Sequence, residues 1–573
     1  MRTRIFANVI LFFFLVLIFG LSYTQVLKHA SYKELSENNR IRVVSLASPR
    51  GKIYDRSGNL LVSNRISFDV EVIYQEINDV ERVINSLGDI LAMDKDFLSE
   101  KIGRSQEMPF VPVKIVEDIK KEKAIQIEEV RLDLPGVIIT TRPLRNYIYK
   151  NMLSHAIGHL GKINEAELRK FKTYGYHMQD FVGKDGIERT FNDYLRGVDG
   201  GLQIEVDSKG RQLKLLAVKE PRPGRDLYLS IDKELQELCH SLLAARYGAI
   251  VAMEPSTGAI LALVSHSDFD PNIFVSPNNF KEIRNLLNDS RTFPMLNRAI
   301  SGTYQAGSVF KIVLATAALD SGRFNDKKTF SCNGSFPVGN RLFHCWREKG
   351  HGTSDITEAI KKSCNVFFYQ LGLFLGADEL SRYAFKLGLG RPTGIDLPGE
   401  VSGLVPTPRW KKSKFKTPWF KGETANYAIG QGYLLVTPIQ ILRLVGTIAN
   451  KGKLVTPFIV ERIEDVRLRH AQSQDIRLKD KALETVKEGL RMVVNEPGGT
   501  GLYARSKEVI IAGKTGTAQN PEEKPHAWFV GFAPFENPRI CIVIFIEHGG
   551  KGGLEPARFG KKIIEKAKEL ELL

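Results

Sequence analysis

The chain has 573 residues and a formal charge of +16. That length exceeds one typical domain and provides for two or three, at least one with a large buried core, while the composition is that of a globular protein and not of a low-complexity chain. The positive charge calls for an anionic neighbour (nucleic acid, an acidic membrane surface or an acidic polymer) and does not choose among them.

The N-terminus narrows the choice. Residues Val9 to Leu21 form an unbroken apolar run, and its flanks extend it to about 20 residues, enough to cross a bilayer. The bulky "SYTQVLKHA" that follows lacks a small-residue cleavage site, which favours an uncleaved anchor over a removed signal peptide. We therefore expect a cytoplasmic tail at 1–4, a transmembrane helix at 5–25 and the bulk of the chain translocated, although Lys and Arg on both sides leave the charge rule undecided. No nucleic-acid module is read.

From Lys28 to about Gly224 short β-like runs such as "FDVEVIYQEI" mix with helical stretches such as "DVERVINSLGDIL". The Pro and Gly cluster "EPRPGRD" reads as a connector. Beyond it, "KELQELCHSLLAARY" has helical apolar spacing and "YGAIVAMEPSTGAILALVSH" reads as a β-hairpin around "EPSTG". A helical middle follows, then three strands, "EVIIAGKTGTAQ", "AWFVGFAPF" and "RICIVIFIEH", and a terminal amphipathic helix in "KKIIEKAKELELL". That order predicts an α+β domain from about residue 231 to 573, a mostly antiparallel sheet covered by helices.

Ser308 and Lys311 stand at i and i+3 at the mouth of an apolar run, which on a helix puts both on one face. A serine hydroxyl needs a base, and a lysine serves when burial or a second cation keeps it neutral. Similar pairs at Ser230/Lys233 and Ser413/Lys416 show that the spacing alone is weak. Ser363-Cys364-Asn365 and the single Lys514-Thr515-Gly516 supply two further elements, and the ordered set is that of the penicillin-recognising serine acyltransferases.

With these motifs the chain resembles the class B penicillin-binding proteins over nearly its whole length. "SPRGKIYDRSGNLL" and "GKDGIERTFNDYLRG" look like the family's pedestal motifs, while "VPTPRWKK", "KGETAN" and "AIGQGYLLVTPIQI" are most similar to its elongation-type branch. The resemblance implies a transmembrane anchor, an elongated, dimerisation-like pedestal at 26–230 and a transpeptidase domain at 231–573. It implies that Ser308 attacks the penultimate D-alanine of a peptidoglycan stem peptide, that Lys311 takes its proton, and that Ser363 and Asn365 relay protons and orient the donor. Lys514 would keep the site electropositive, Thr515, Gly516 and Thr517 would line the carboxylate subsite, and the N–H groups of Ser308 and Thr517 would form an oxyanion hole. β-Lactams, a SEDS-family glycan polymerase and other elongation-complex membrane proteins are the implied partners, at the cytoplasmic membrane with the catalytic domain on the periplasmic side. A division-type enzyme, a D,D-carboxypeptidase or other hydrolase, and a β-lactam-binding scaffold share the motifs. "GQG" at 430–432 reads as a turn, Arg50, Asp55 and Arg56 as a polar network, and "RWKKSKFK" as a solvated basic loop, with anionic glycan or lipid as its alternative partner.

Five cysteines are too few and too odd for a disulfide framework. Three of them, with one histidine, give Cys332, Cys345, His351 and Cys364, spaced thirteen, six and thirteen apart between the catalytic motifs. Three thiolates and an imidazole suit structural zinc, with His344 as an alternative imidazole, and a disulfide plus a free thiol or simply buried apolar cysteines as the competing readings.

Overall fold

The structure is a computed structural model and describes residues 2–33, 41–107, 109–171, 175–176, 178, 180–207, 212–277, 279–470, 473–520 and 523–573. Its polypeptide forms two units interleaved in sequence. One comprises 1–51, 64–145 and 196–224, the other 52–63, 146–195 and 225–573.

In the first unit, helix α1 (Arg2–Ser22) runs on through a wider turn to Leu27. Among the described residues it is the one helix long and apolar enough to cross a membrane, and its apolar side chains are all exposed. A three-stranded antiparallel sheet joins Ile41–Leu46, Gly200–Val206 and Gln212–Lys219. A separate core is built on Val70, Val72, Leu87, Leu98 and Ile102. Beside it the buried Asp69 carboxylate accepts from Arg142 Nε at 2.7 Å, Lys114 Nζ at 2.9 Å and the Asp118 N–H at 2.8 Å. Burial alone would raise its pKa, but these donors together hold it below the usual carboxylate value.

The second unit is organised by a five-stranded antiparallel sheet of β1 (Gly248–Met253), β2 (Ile260–His266), β3 (Ala512–Ala518), β4 (His526–Ala533) and β5 (Ile540–Ile546), in the order β2-β1-β5-β4-β3. The hairpin, the three late strands and the terminal helix all form where the sequence pattern places them. Strand β5, "ICIVIFI", is buried at every residue. That run does not alternate because both faces of the sheet are covered. A Cβ on Gly446 of helix α5 (Pro438–Ala449) would touch Met253 and Cys541, whereas one on Gly560 of helix α6 (Glu555–Glu569) would touch Phe529 and Ile542. Cys541 and Ile542 are neighbours on one strand and so point to opposite faces.

Segments expected in the pedestal pack into this unit. Ile53, Tyr147, Met152, Ile157, Ile187 and Leu195 share one apolar core with the sheet. Asp55 is also buried here, and its carboxylate accepts from the N–H groups of Ser57 and Asn59 at 2.9 and 2.7 Å and from that of Lys233 at 3.3 Å. It ties a tight turn to the start of helix α2 (Lys233–Leu243). The segment's alternating short strands look pedestal-like in sequence, but their apolar faces are satisfied by the larger core.

One buried ion pair links the sheet to the segment that leads into Ser308. Arg298 is 2% exposed and donates from Nε to Glu547 Oε1 at 3.0 Å, and the Tyr304 hydroxyl donates to the same oxygen at 2.6 Å. Removing the cation leaves a partly buried carboxylate with a single neutral donor. Arg298→Leu is expected to destabilise the protein by about 3 kcal/mol or more in urea denaturation, whereas exposed Arg467→Leu should change little.

Candidate active site

The Ser308 segment begins with a 3₁₀ turn, Gly307–Phe310, and continues as helix α3, Lys311–Asp320. In a 3₁₀ turn side chains three apart eclipse one another, so Ser308 and Lys311 align more closely than on the α-helix expected from the sequence. Helix α3 is buried on all sides except at Leu319, which explains its apolar sequence and carries the lysine into the interior.

Lys311 Nζ donates to Asn365 Oδ1 at 2.7 Å, to the Ser363 carbonyl at 2.9 Å and to Ser363 Oγ at 3.2 Å. Lys514 Nζ, from β3, donates to the same Ser363 Oγ at 2.9 Å and to the Thr515 carbonyl at 2.9 Å. Both lysines are fully buried, and neither forms an ion pair with a carboxylate among the described residues. Burial lowers the Lys311 pKa to about 8, against a smaller opposing effect of the Cys364 and Cys345 sulfurs. Lys514 is driven well below its ordinary value, first by burial and then by the charge on Lys311.

Ser308 is half-buried, and its hydroxyl has no hydrogen bond among the described residues. The turn carrying it abuts edge strand β3, since a Cβ on Gly307 would lie 2.7 Å from the Thr517 carbonyl. Gly516 is buried against Val309 and Trp528, and Thr517 is exposed. Thr515 is buried with Oγ1 2.8 Å from Thr500 Oγ1. The structure thus gathers Ser308, Lys311, Ser363, Asn365 and the Lys514–Thr517 strand around one site. Thr500 was not visible in the sequence as a neighbour.

Residues 248–565 match the model of the penicillin binding protein transpeptidase domain, and 45–229 that of the penicillin-binding protein dimerisation domain. The chain belongs to the class B penicillin-binding proteins. It is 34% identical to the peptidoglycan D,D-transpeptidase MrdA of Acinetobacter baumannii over 98% of this chain and 87% of that one. It superimposes with a TM-score of 0.82 on the penicillin-binding protein PBP2 of Helicobacter pylori in its complex with MreC, at 29% identity, covering 93% of this chain and 99% of that one. A chain in a structure titled as coordinating polymerization and crosslinking by a peptidoglycan synthase complex gives 0.76 at 30% identity, covering 98% and 97%.

In this penicillin-binding protein the Ser308 turn is braced by the segment read from sequence as a plain turn. Gly307 N–H donates to the Gly430 carbonyl at 3.0 Å, Gln305 Nε2 to the Gly432 carbonyl at 3.0 Å, and Tyr304 and Val436 exchange backbone bonds at 2.9 and 2.8 Å. Gly430 has φ +71° and no room for a side chain, because its Cβ would sit 2.2 Å from the Gly307 carbonyl oxygen.

The Ser363-Cys364-Asn365 motif splits in two directions. Ser363 and Asn365 face the lysines, while the Cys364 thiol accepts from the Phe367 N–H at 3.4 Å as N-cap of helix α4 (Asn365–Leu375). Ser363 holds φ +50°, a left-handed backbone that costs a non-glycine residue about 1–3 kcal/mol. Two donors fix its carbonyl, Lys311 Nζ and the indole N–H of Trp346 at 3.1 Å. Trp346 carried no sequence signal beyond its place next to Cys345.

On the other side, the Sγ atoms of Cys332, Cys345 and Cys364 and a ring nitrogen of His351 all lie within 4.8 Å of one another. His351 Nδ1 is 3.4 Å from Cys345 Sγ and 3.8 Å from Cys332 Sγ. These bracket the edge of about 3.6 Å of a tetrahedron with metal–sulfur and metal–nitrogen bonds near 2.3 and 2.0 Å. His344 is exposed and outside the group. All five cysteines are free thiols in this structure.

Two outcomes follow from this geometry. Because Lys311 accepts a proton only when neutral, the rate of acylation by a fluorescent penicillin should climb with pH through about 8 and fall about tenfold per pH unit below it, as read from stopped-flow labelling. Gly430→Ala should push on the Gly307 carbonyl and slow acylation roughly a hundredfold, with its circular dichroism unchanged.

Proposed function

We propose that the protein is an elongation-type peptidoglycan D,D-transpeptidase in which Ser308 is the nucleophile. The observation that carries the assignment of roles is the pair of buried lysines meeting at one serine hydroxyl. Two ammonium groups so close cannot both stay charged in a buried site, so one is held neutral and ready to take a proton.

Lys311, on the turn of the nucleophile, takes the Ser308 proton as Oγ bonds to the carbonyl carbon of the penultimate D-alanine. The C–N bond to the terminal D-alanine then breaks, and the departing nitrogen receives a proton through Ser363, whose hydroxyl touches both lysines. An acceptor amine attacks the ester, forms the crosslink and returns Ser308 its proton. Thr515 and Thr517 receive the substrate carboxylate beside the positive charge of the lysine pair, and the N–H groups of Ser308 and Thr517 stabilise the oxyanion, each worth roughly a hundredfold to a thousandfold. A β-lactam enters by the same path and leaves Ser308 acylated.

In this reading α1 anchors the chain once through the cytoplasmic membrane with the catalytic unit on the periplasmic side, supported by the length and apolar composition of α1. A SEDS-family glycan polymerase and other elongation-complex membrane proteins are its partners. The support is the family's structural kin, one bound to MreC and one within a peptidoglycan synthase complex. Zinc fits the donor set of Cys332, Cys345, His351 and Cys364. When bound it supplies no chemistry to acyl transfer and locks the backbone behind Ser363.

Ser308→Ala is expected to abolish penicillin labelling while preserving thermal unfolding, and labelling that persists would remove Ser308 from its role. Purified protein should carry about one zinc by elemental analysis. Cys345→Ser should lower both zinc content and Tm, and full stability without metal would refute the zinc assignment.

A further inference from the structure

The segment read from sequence as a solvated basic loop is a built surface beside the active site. Helix Pro408–Phe415 is capped by Thr407, whose Oγ1 accepts from the Trp410 N–H at 3.0 Å, and it ends at Lys416 in a left-handed conformation. The chain then returns through Pro418 to a second helix, Lys421–Ala428. Lys411 is buried and tethers this return, donating to the Pro418 carbonyl at 2.8 Å and to the Glu423 carboxylate. Trp419 Nε1 donates to Thr424 Oγ1 at 2.8 Å. Rings pack across the hairpin: Trp410 lies 5.3 Å and Phe415 5.4 Å from Tyr433.

Two features of this fixed hairpin point outward. Arg409, Lys412, Lys414, Lys416 and Lys421 are exposed, and no acidic residue occurs from Val401 to Gly422. The next carboxylate along the chain, Glu423, is engaged by Lys411. Between these cations stand Phe415 and Phe420, 44% and 56% exposed. From Thr407 to Lys421 there is no Leu, Ile, Val or Met, so apart from Pro418 the exposed apolar side chains are aromatic.

We infer that this hairpin binds a strand of the anionic glycan-peptide polymer whose stem enters the Ser308 site. The inference rests on the transpeptidase reading and extends it to the substrate beyond the reacting peptide. Continuity supports it: Tyr433, which closes the aromatic cluster, follows directly on the Gly430–Gly432 segment that braces the nucleophile turn. The chemistry matches as well. Carboxylates of stem peptides meet the lysine row, and the C–H faces of sugar rings lie on the exposed phenyl rings. An anionic lipid surface is the competing partner for basic and aromatic side chains; continuity with the Ser308 wall favours the polymer, and the vesicle arm of the test separates the two.

The test uses the full-length protein, purified peptidoglycan sacculi, vesicles containing anionic lipid and a fluorescent penicillin. The triple variant Lys412→Glu/Lys414→Glu/Lys416→Glu should bind sacculi about tenfold more weakly than wild type, whose own binding should weaken with added salt. Phe415→Ala/Phe420→Ala should lose about threefold even at high salt, where charge is screened. Penicillin, too small to reach the hairpin, should acylate both variants within about twofold of wild type. Sacculus binding unchanged in both variants overturns the inference, as does a triple variant that loses vesicle binding alone. Failure of wild-type acylation would count against the transpeptidase reading instead, so the two ideas fail separately.

Discussion

Two lysines buried side by side without a carboxylate are the constraint on which this site depends. A buried ammonium needs a counter-charge or must shed its proton, and among the described residues Lys311 and Lys514 hydrogen-bond only to Ser363, Asn365 and backbone carbonyls. The stable state therefore holds fewer than two positive charges on the pair. A group otherwise charged at neutral pH becomes a base by its surroundings alone. Had either lysine reached an aspartate, the pair would be stable and inert.

Holding that arrangement takes elements from distant parts of the chain. Helix α3 brings Lys311 from inside the core, strand β3 brings Lys514 from the sheet edge, and the cap of α4 brings Ser363 in a backbone conformation that is unfavourable on its own. The strain at Ser363 persists because its carbonyl is held from two sides, by Lys311 and by the indole of Trp346. Immediately behind it, the thiol and imidazole cluster gathers residues 332 to 364 into one knot. The segment between the first two catalytic motifs thus serves to fix the second.

The active-site wall and the basic hairpin share a polypeptide. Gly430 braces the Ser308 turn, Tyr433 closes the aromatic cluster, and only two residues separate them. A polymer on the hairpin and a peptide at Ser308 would then be positioned by one rigid segment, which reduces the orientation entropy lost when the two ends of a large substrate are placed together.

Local pattern alone determined the apolar N-terminal helix, the hairpin of β1 and β2, the three late strands and the three catalytic motifs, because each is written in short-range periodicity or in adjacent residues. The cysteine and histidine set was also legible by its crowding, but the sequence left His344 and His351 open, and only packing put His351 among the thiols. Tertiary structure decided what depends on distant segments meeting. It placed 52–63 and 146–195 in the larger unit, because their apolar faces complete the core of the sheet. It turned "GQG" from a generic turn into the brace of Gly307, and it gave Trp346 a partner in Ser363. Nor could the sequence show that Lys311 and Lys514 meet: 203 positions apart in the numbering, they share one hydroxyl only because a buried helix and an edge strand pack together.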